Sequence, residues 1–215
     1  MRRAHAAAIT VAVLAVTCGP ARGDDPKAKV RANFAEDPAQ ASRYRATVES
    51  IRKYVADKCM TREGAYAAVA GGQIVDVSAA LFPMWHYTAA DSPEMIATMA
   101  ALKRDFSSNH LYRRHLELFD SRREGAFLAG TFWVAHYYVI RGDLLQAQSI
   151  IEAGLKYAND LGLFAEEADP ASLDMLGNLP QGFVHAAFIN AAVDLRDKLA
   201  APSPGIPLHS PRRRQ

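Results

Sequence analysis

Residues 163–183, LFAEEADPASLDMLGNLPQGF, set two adjacent carboxylates, Glu166 and Glu167, between a helix-like run and a Gly-Asn-x-Pro-Gln turn. Acidic residues in a connection between helices are usually solvated. A carboxylate held near a reacting bond has a sharper use, because it can take a proton from an attacking water. Other polar groups are available. LYRR, residues 111–114, offers Arg113 and Arg114. His185 lies on an apolar helical face, where a satisfied core histidine is the commoner role. His110, His115 and His136 lack metal-ligand spacing, and neither GGQIV nor GDLLQ is a phosphate-binding loop. No cofactor and no metal are therefore expected.

The elements that must position the acidic pair read as helices. Tyr44, Val48, Ile51 and Val55 recur at helical spacing. Residues 61–73 contain three glycines and read as a loop, and residues 74–87 as a short helix interrupted at Pro83. Asp91-Ser92-Pro93-Glu94 is a helix start, with Asp91 or Ser92 as cap and Pro93 in the first turn. Ile96, Met99, Ala100 and Lys103 follow on one face. Residues 124–142 are apolar nearly all round and predict a buried helix stopped by Gly142. Asp143, with Gln146 three residues on, predicts a capped helix with Ala147, Ile150, Ile151, Leu155 and Ala158 as its stripe, closed by Gly162. A last helix over 180–200 starts at Pro180. Phe183, Val184, Ala187, Phe188, Ala191, Leu195 and Leu199 are its expected buried face.

Composition and charge narrow the function classes. Half of the 215 residues are hydrophobic and 22% are charged, ordinary for a globular protein. Arg2 and Arg3, the apolar run 6–16 and the small-residue exit before Asp24 read as a signal peptide over residues 1–23. The chain is then expected to be secreted or periplasmic. Cys18-Gly19 offers a lipid anchor as the weaker alternative. The apolar run is shorter than the roughly 20 residues that a membrane span needs. Removing Arg2, Arg3 and Arg22 leaves fewer basic residues than the 23 acidic ones, so no broad basic field remains to bind nucleic acid. Cys59 would then lack an intrachain disulfide partner and reads as a small buried apolar group. Residues 24–41 read as a linker, 42–200 as the folded domain, and 201–215, with four prolines and three arginines, as a disordered tail.

EGAFLAGTFW at 124–133 and ANDLGLFAEEADPASLDMLGNLPQGFVHAAFINAA at 158–192 resemble the C-terminal part of family-15 glycoside hydrolases, the glucoamylase-like and trehalase-like enzymes. The resemblance implies antiparallel helix hairpins forming about half of an (α/α)6 barrel. It also implies α-glucosidic substrates, an oligosaccharide or a disaccharide, hydrolysed with inversion. Inversion uses two carboxyl groups roughly 6.5–9.5 Å apart, one protonating the leaving oxygen and one activating a water. The resemblance puts the base on Glu166. It puts substrate-binding roles on Glu167, as a supporting neighbour, and on Arg113, as the group holding a sugar hydroxyl.

The departures are specific. Ala165 and Val184 stand where the family pattern has serine, and ASLD replaces a glycine-containing turn. The Trp-Glu motif of the general acid is absent: the two tryptophans stand in Trp85-His86 and Trp133-Val134. The expected protein is a truncated inverting α-glucosidase. The alternative is a non-catalytic helical module or remnant that pairs with a second copy or a complementing chain to close the barrel.

Overall fold

The computed structural model describes residues 38–114 and 124–200. The expected signal peptide and tail lie outside these residues, as does the linker up to residue 37. Helix α1, Pro38–Lys58, already begins inside the expected linker. A 3-10 helix follows at Val77–Leu81, then α2 at Pro93–Phe106. Two-residue strands β1 (Ser107–Ser108) and β2 (Leu111–Tyr112) form a hairpin. Strand β3, Ala126–Phe127, runs directly into α3, Leu128–Arg141, and α4 spans Leu144–Leu155. Strands β4 (Glu167–Ala168) and β5 (Met175–Leu176) precede α5, Gly182–Ala200. The architecture is helical, with two small sheets confined to the connections.

Helix α3 is the centre of the packing. Leu128, Phe132, Val134, Ala135 and Tyr137 have no solvent exposure, and α5, α4 and the 3-10 helix pack around them. Each large apolar side chain buried this way contributes about 1.5–3 kcal/mol. Phe132 sits in an aromatic cluster with Phe164 and Phe188, at centroid distances of 5.4 and 5.3 Å. Gly142, at φ 93°, ends the helix in the left-handed conformation. Buried hydroxyls join the segments. Thr131 accepts from the Tyr112 N–H at 3.0 Å and donates to the Phe127 carbonyl. Thr98 accepts from the Tyr66 N–H at 2.8 Å. Both therefore satisfy backbone groups that would otherwise be stranded in the core. Cys59 is buried as expected, and desolvation pushes its thiol up.

Several local expectations are corrected. The run from 124 does not start as a helix, because Ala126 and Phe127 pair with β4 before the first helical turn. Asp143 makes no side-chain cap. Its Oδ2 instead lies 3.3 Å from the Arg141 guanidinium, an i,i+2 pair across the turn. Residues 74–87 hold the 3-10 helix, capped where Asp76 accepts from the Ser78 N–H, and then turns. Helix α4 ends at Leu155, so Gly162, at φ 74°, belongs to the following loop. Helix α5 begins at Gly182, after a cis Leu179–Pro180 bond. On α2 the buried side is Met95, Thr98, Met99, Leu102 and Phe106, while Ile96 is 45% exposed. Leu155, Phe183 and Leu199 are also exposed. For Phe183 the reason is geometric: α5 buries only Val184, Ala187, Ala191 and Leu195, one narrow stripe against α3 and α4.

Helix α1 is exposed along most of its length, Tyr44 and Tyr54 included. It is tied to the domain at its C-terminal end, where Val55 and Cys59 are buried. The Arg52 guanidinium stacks over the Tyr87 ring at 4.8 Å and donates to the Tyr87 carbonyl at 2.8 Å.

A tight joint in the core gives a stability test. A Cβ on Gly130 would meet both methyls of Val77, at 2.8 and 3.0 Å. Gly130→Leu overpacks the contact between α3 and the 3-10 helix and is expected to cost about 1–3 kcal/mol in urea unfolding. An unchanged midpoint would contradict this packing.

Candidate active site

The acidic pair is held by a three-stranded antiparallel sheet in which β4 lies between β3 and β5. Ala126 pairs with Ala168 and Phe127 with Glu167, while Glu167 and Ala168 also pair with Leu176 and Met175. Gly125 makes the approach of β3 possible, since a Cβ there would lie 2.6 Å from the Ala168 carbonyl oxygen. The ladder extends one residue beyond β4. The Leu128 N–H donates to the Glu166 carbonyl at 3.1 Å, and the Glu166 N–H donates to the Asn178 carbonyl at 2.9 Å. Glu166 is thereby fixed against the first residue of α3 on one side and the turn before α5 on the other. Upstream, Asn159 shapes the loop by accepting from the Leu161 and Leu163 N–H groups at 3.0 and 2.8 Å.

The two glutamates differ in their surroundings. The half-buried Glu166 carboxylate accepts from Asn178 Nδ2 at 2.7 Å. Glu167 accepts from the Gly125 N–H at 3.1 Å. Desolvation pushes the Glu167 carboxyl above its ordinary value, and the Gly125 hydrogen bond opposes this; Glu124 and Glu166 push it further up, while Arg114 pulls it down. Successive residues along a strand face opposite sides of a sheet, which separates the surroundings of these neighbours.

Arg113 follows β2, its N–H bonded to the Phe106 carbonyl at 3.0 Å, and its side chain is exposed. Arg114 is the arginine whose charge reaches Glu167, and its guanidinium also lies 5.8 Å from the Phe127 ring centroid. His185 is taken up by the fold. Its Nε2 accepts from the Phe164 N–H at 3.3 Å, and its Nδ1 faces the Gln181 carbonyl at 2.8 Å. A ring with both nitrogens engaged this way is a structural brace between the loop and α5. His136 pairs with Asp194 at 2.6 Å, and His110 is exposed. Among the described residues, no three His, Cys, Asp or Glu side chains are grouped to hold a metal ion.

Sequence reasoning gave no role to Gly125 or to the side chain of Asn178, and it offered Arg114 beside Arg113 without connecting it to Glu167. The Gly-Asn dipeptide marked a turn, but not the amide it directs back to Glu166. A separate cavity of about 230 Å³ lies between the 3-10 helix, α3 and α5, with Trp85, Trp133, His136, Phe183 and Asn190 on its walls. Glu166 does not line it; the cavity belongs to the open side of α5.

Known proteins match this chain in sequence and in fold. Residues 145–193 match the family described as Glycosyl hydrolases family 15. A trehalase of Mycolicibacterium smegmatis is 31% identical over 175 residues, which are 79% of this chain and 26% of that protein. A trehalase of Mycobacterium tuberculosis is 31% identical over 162 residues, 73% of this chain and 24% of its own. Among solved structures, a wild-type glycosidase aligns with a TM-score of 0.66 at 16% identity, covering 79% of this chain and 49% of that one. A bacterial glucoamylase complexed with acarbose aligns with a TM-score of 0.65, also at 16% identity, covering 80% and 33%. The chain thus spans about a quarter of the length of the curated relatives it matches. It carries a family-15 glycoside hydrolase segment, related to the trehalases, and its helices form about half of an (α/α)6 barrel.

The perturbed carboxyl yields a pH test. Glu167 binds its proton more tightly folded than unfolded. The associated stability is fully present below the ordinary glutamate value of 4.5 and is lost as pH rises through the folded value. Glu167→Gln keeps an acceptor for the Gly125 N–H and removes the titration. Urea midpoints of the two proteins, compared at about pH 4.5 and about pH 7.5, should move in favour of the variant at the higher pH. A pH-independent difference would contradict the desolvation of Glu167.

Proposed function

We propose that this chain supplies the base-bearing part of an inverting glycoside hydrolase acting on α-glucosidic bonds. The observation that carries the reading is the placement of Glu166. Its backbone is bonded on both sides within the loop sheet, its carboxylate is half-buried and held, and it lies inside the stretch that matches the family. In the proposed role Glu166 takes a proton from a water as that water attacks the anomeric carbon of a glucosyl unit. Arg113 holds a sugar hydroxyl through charge-assisted hydrogen bonds. Glu167 is the supporting neighbour, its grip on Gly125 keeping the loop sheet closed beside the base. A disaccharide such as trehalose or a short oligosaccharide is the proposed substrate, and export is the proposed destination.

The test is hydrolysis of trehalose, maltose, isomaltose and soluble starch by the purified chain. Loss of a general base lowers rates by about 10²–10⁴-fold, so Glu166→Gln should lose most turnover. Arg113→Ala should chiefly raise KM. Equal rates in wild type and Glu166→Gln would refute the role.

A specific observation favours a second component to the reading. Phe183, Ile189 and Val193 on α5 are 54, 55 and 37% exposed, and the cavity with Trp85 and Trp133 adjoins Phe183. Exposed large apolar side chains beside an apolar cavity fit an interaction surface. We propose that further helical hairpins, from a second copy or a complementing chain, cover this face and contribute the general acid. Light scattering of the wild type should then report a dimer or complex that Phe183→Asp with Val193→Asp dissociates. A monodisperse monomer active by itself would remove the need for a partner.

A further inference from the structure

We propose that Asn178 is a positioning residue that pins one oxygen of the Glu166 carboxylate and leaves the other to receive the proton of the attacking water. The proposal rests on the reading of Glu166 as the base and adds the residue that aims it. Three hydrogen bonds close between Glu166 and Asn178. The Glu166 N–H donates to the Asn178 carbonyl at 2.9 Å. Asn178 Nδ2 donates to Glu166 Oε2 at 2.7 Å, and the Asn178 N–H reaches the same oxygen at 3.4 Å. The latter two converge on Oε2. Among the described residues, Oε1 accepts none.

A carboxylate gripped at one oxygen loses the freedom of its outer torsions, a cost paid when the chain folds rather than at each reaction. The free oxygen then keeps one direction. In the proposed step the water oxygen bonds to the anomeric carbon while its proton passes to Oε1. The glycosidic C–O bond breaks, and the leaving oxygen takes a proton from a carboxylic acid of the completing hairpins.

Gly177 makes the grip geometrically possible. Its φ of 73° is left-handed, where a side chain is strained. A Cβ there would lie 3.0 Å from Glu166 Cβ and 3.2 Å from Oε2. The turn therefore presents bare backbone to the glutamate and brings the next residue's amide onto its oxygen. A purely structural Asn178 would need only its backbone bond to Glu166. The side-chain amide adds a second contact aimed at the carboxylate itself.

The test uses the full chain and two readouts. First, kinetics on α-glucosides compare wild type, Asn178→Ala, Asn178→Asp and Glu166→Gln. Misplacing a catalytic group by about 1 Å can cost about 10²-fold. Asn178→Ala should therefore lower kcat by about 10–100-fold with KM within about threefold, and Asn178→Asp, isosteric but without the donor, should do no better. Second, NMR side-chain couplings of Glu166, assigned by their loss in Glu166→Gln, should report one rotamer in the wild type and averaging in both Asn178 variants. Gly177→Ala, which crowds the same carboxylate, is the independent variant and should lower kcat as well. Full kcat in Asn178→Ala where Glu166→Gln is inactive overturns the positioning role and leaves the base reading standing. If Glu166→Gln is as active as the wild type, the base reading fails instead. An unchanged Glu166 rotamer in both Asn178 variants overturns the grip whatever the activity.

Discussion

The structure depends on one constraint: α3 is apolar nearly all round and must be enclosed. Leu128, Phe132, Val134, Ala135 and Tyr137 leave no face for water, so α4, α5 and the 3-10 helix are drawn around it. The same burial fixes where the helix begins. Ala126 and Phe127, themselves buried, cannot leave their backbone groups unpaired in the core, and they pair with β4. The loop sheet is the consequence of enclosing α3, and Glu166 is bonded to the first residue of that helix. The candidate site is therefore anchored to the buried helix α3 although it lies in a loop, the usual division between a scaffold and the groups it presents.

Enclosure stops at α5. That helix covers α3 with Val184, Ala187, Ala191 and Leu195 and turns Phe183, Ile189 and Val193 outward. Helix α1, at the other end of the described chain, is mostly exposed, with its buried residue Val55 near its C-terminal end. Two helices with little cover, one before and one after a well-packed middle, are what an arc of a helical ring leaves at its edges. The likeness of the fold to barrels of which it covers 49% or less agrees with this arc. The apolar cavity beside Trp85 and Trp133 lies on the open side of α5 and not at the acidic pair.

Much of this was legible in the sequence where a signal was local and strong. The apolar run ending at Gly142 gave α3 its extent to within a turn, and Ser92-Pro93 gave the start of α2, with Ser92 accepting from the Met95 N–H. The acidic pair and its turn stood out because their spacing resembled a family motif. What was not legible depended on partners distant in the chain. Strands of two residues carry no periodicity, so β3 read as the first turn of a helix. Asp143 had the residue type of a cap, but Arg141 competed for its carboxylate. Phe183 had the hydrophobicity and spacing of a buried residue, and only the position of α5 at an edge exposed it. Asn178 was a turn residue in the sequence, and its second role required the turn to fold back over Glu166.

The central claim is that Glu166 activates a water on the face of the sugar opposite the leaving group. The most direct measurement is the anomer released first, followed by proton NMR during hydrolysis of an α-glucoside by the protein with its proposed complement. The account predicts that β-glucose appears first and mutarotates later. Release of α-glucose, or hydrolysis that persists undiminished in Glu166→Gln, would contradict it.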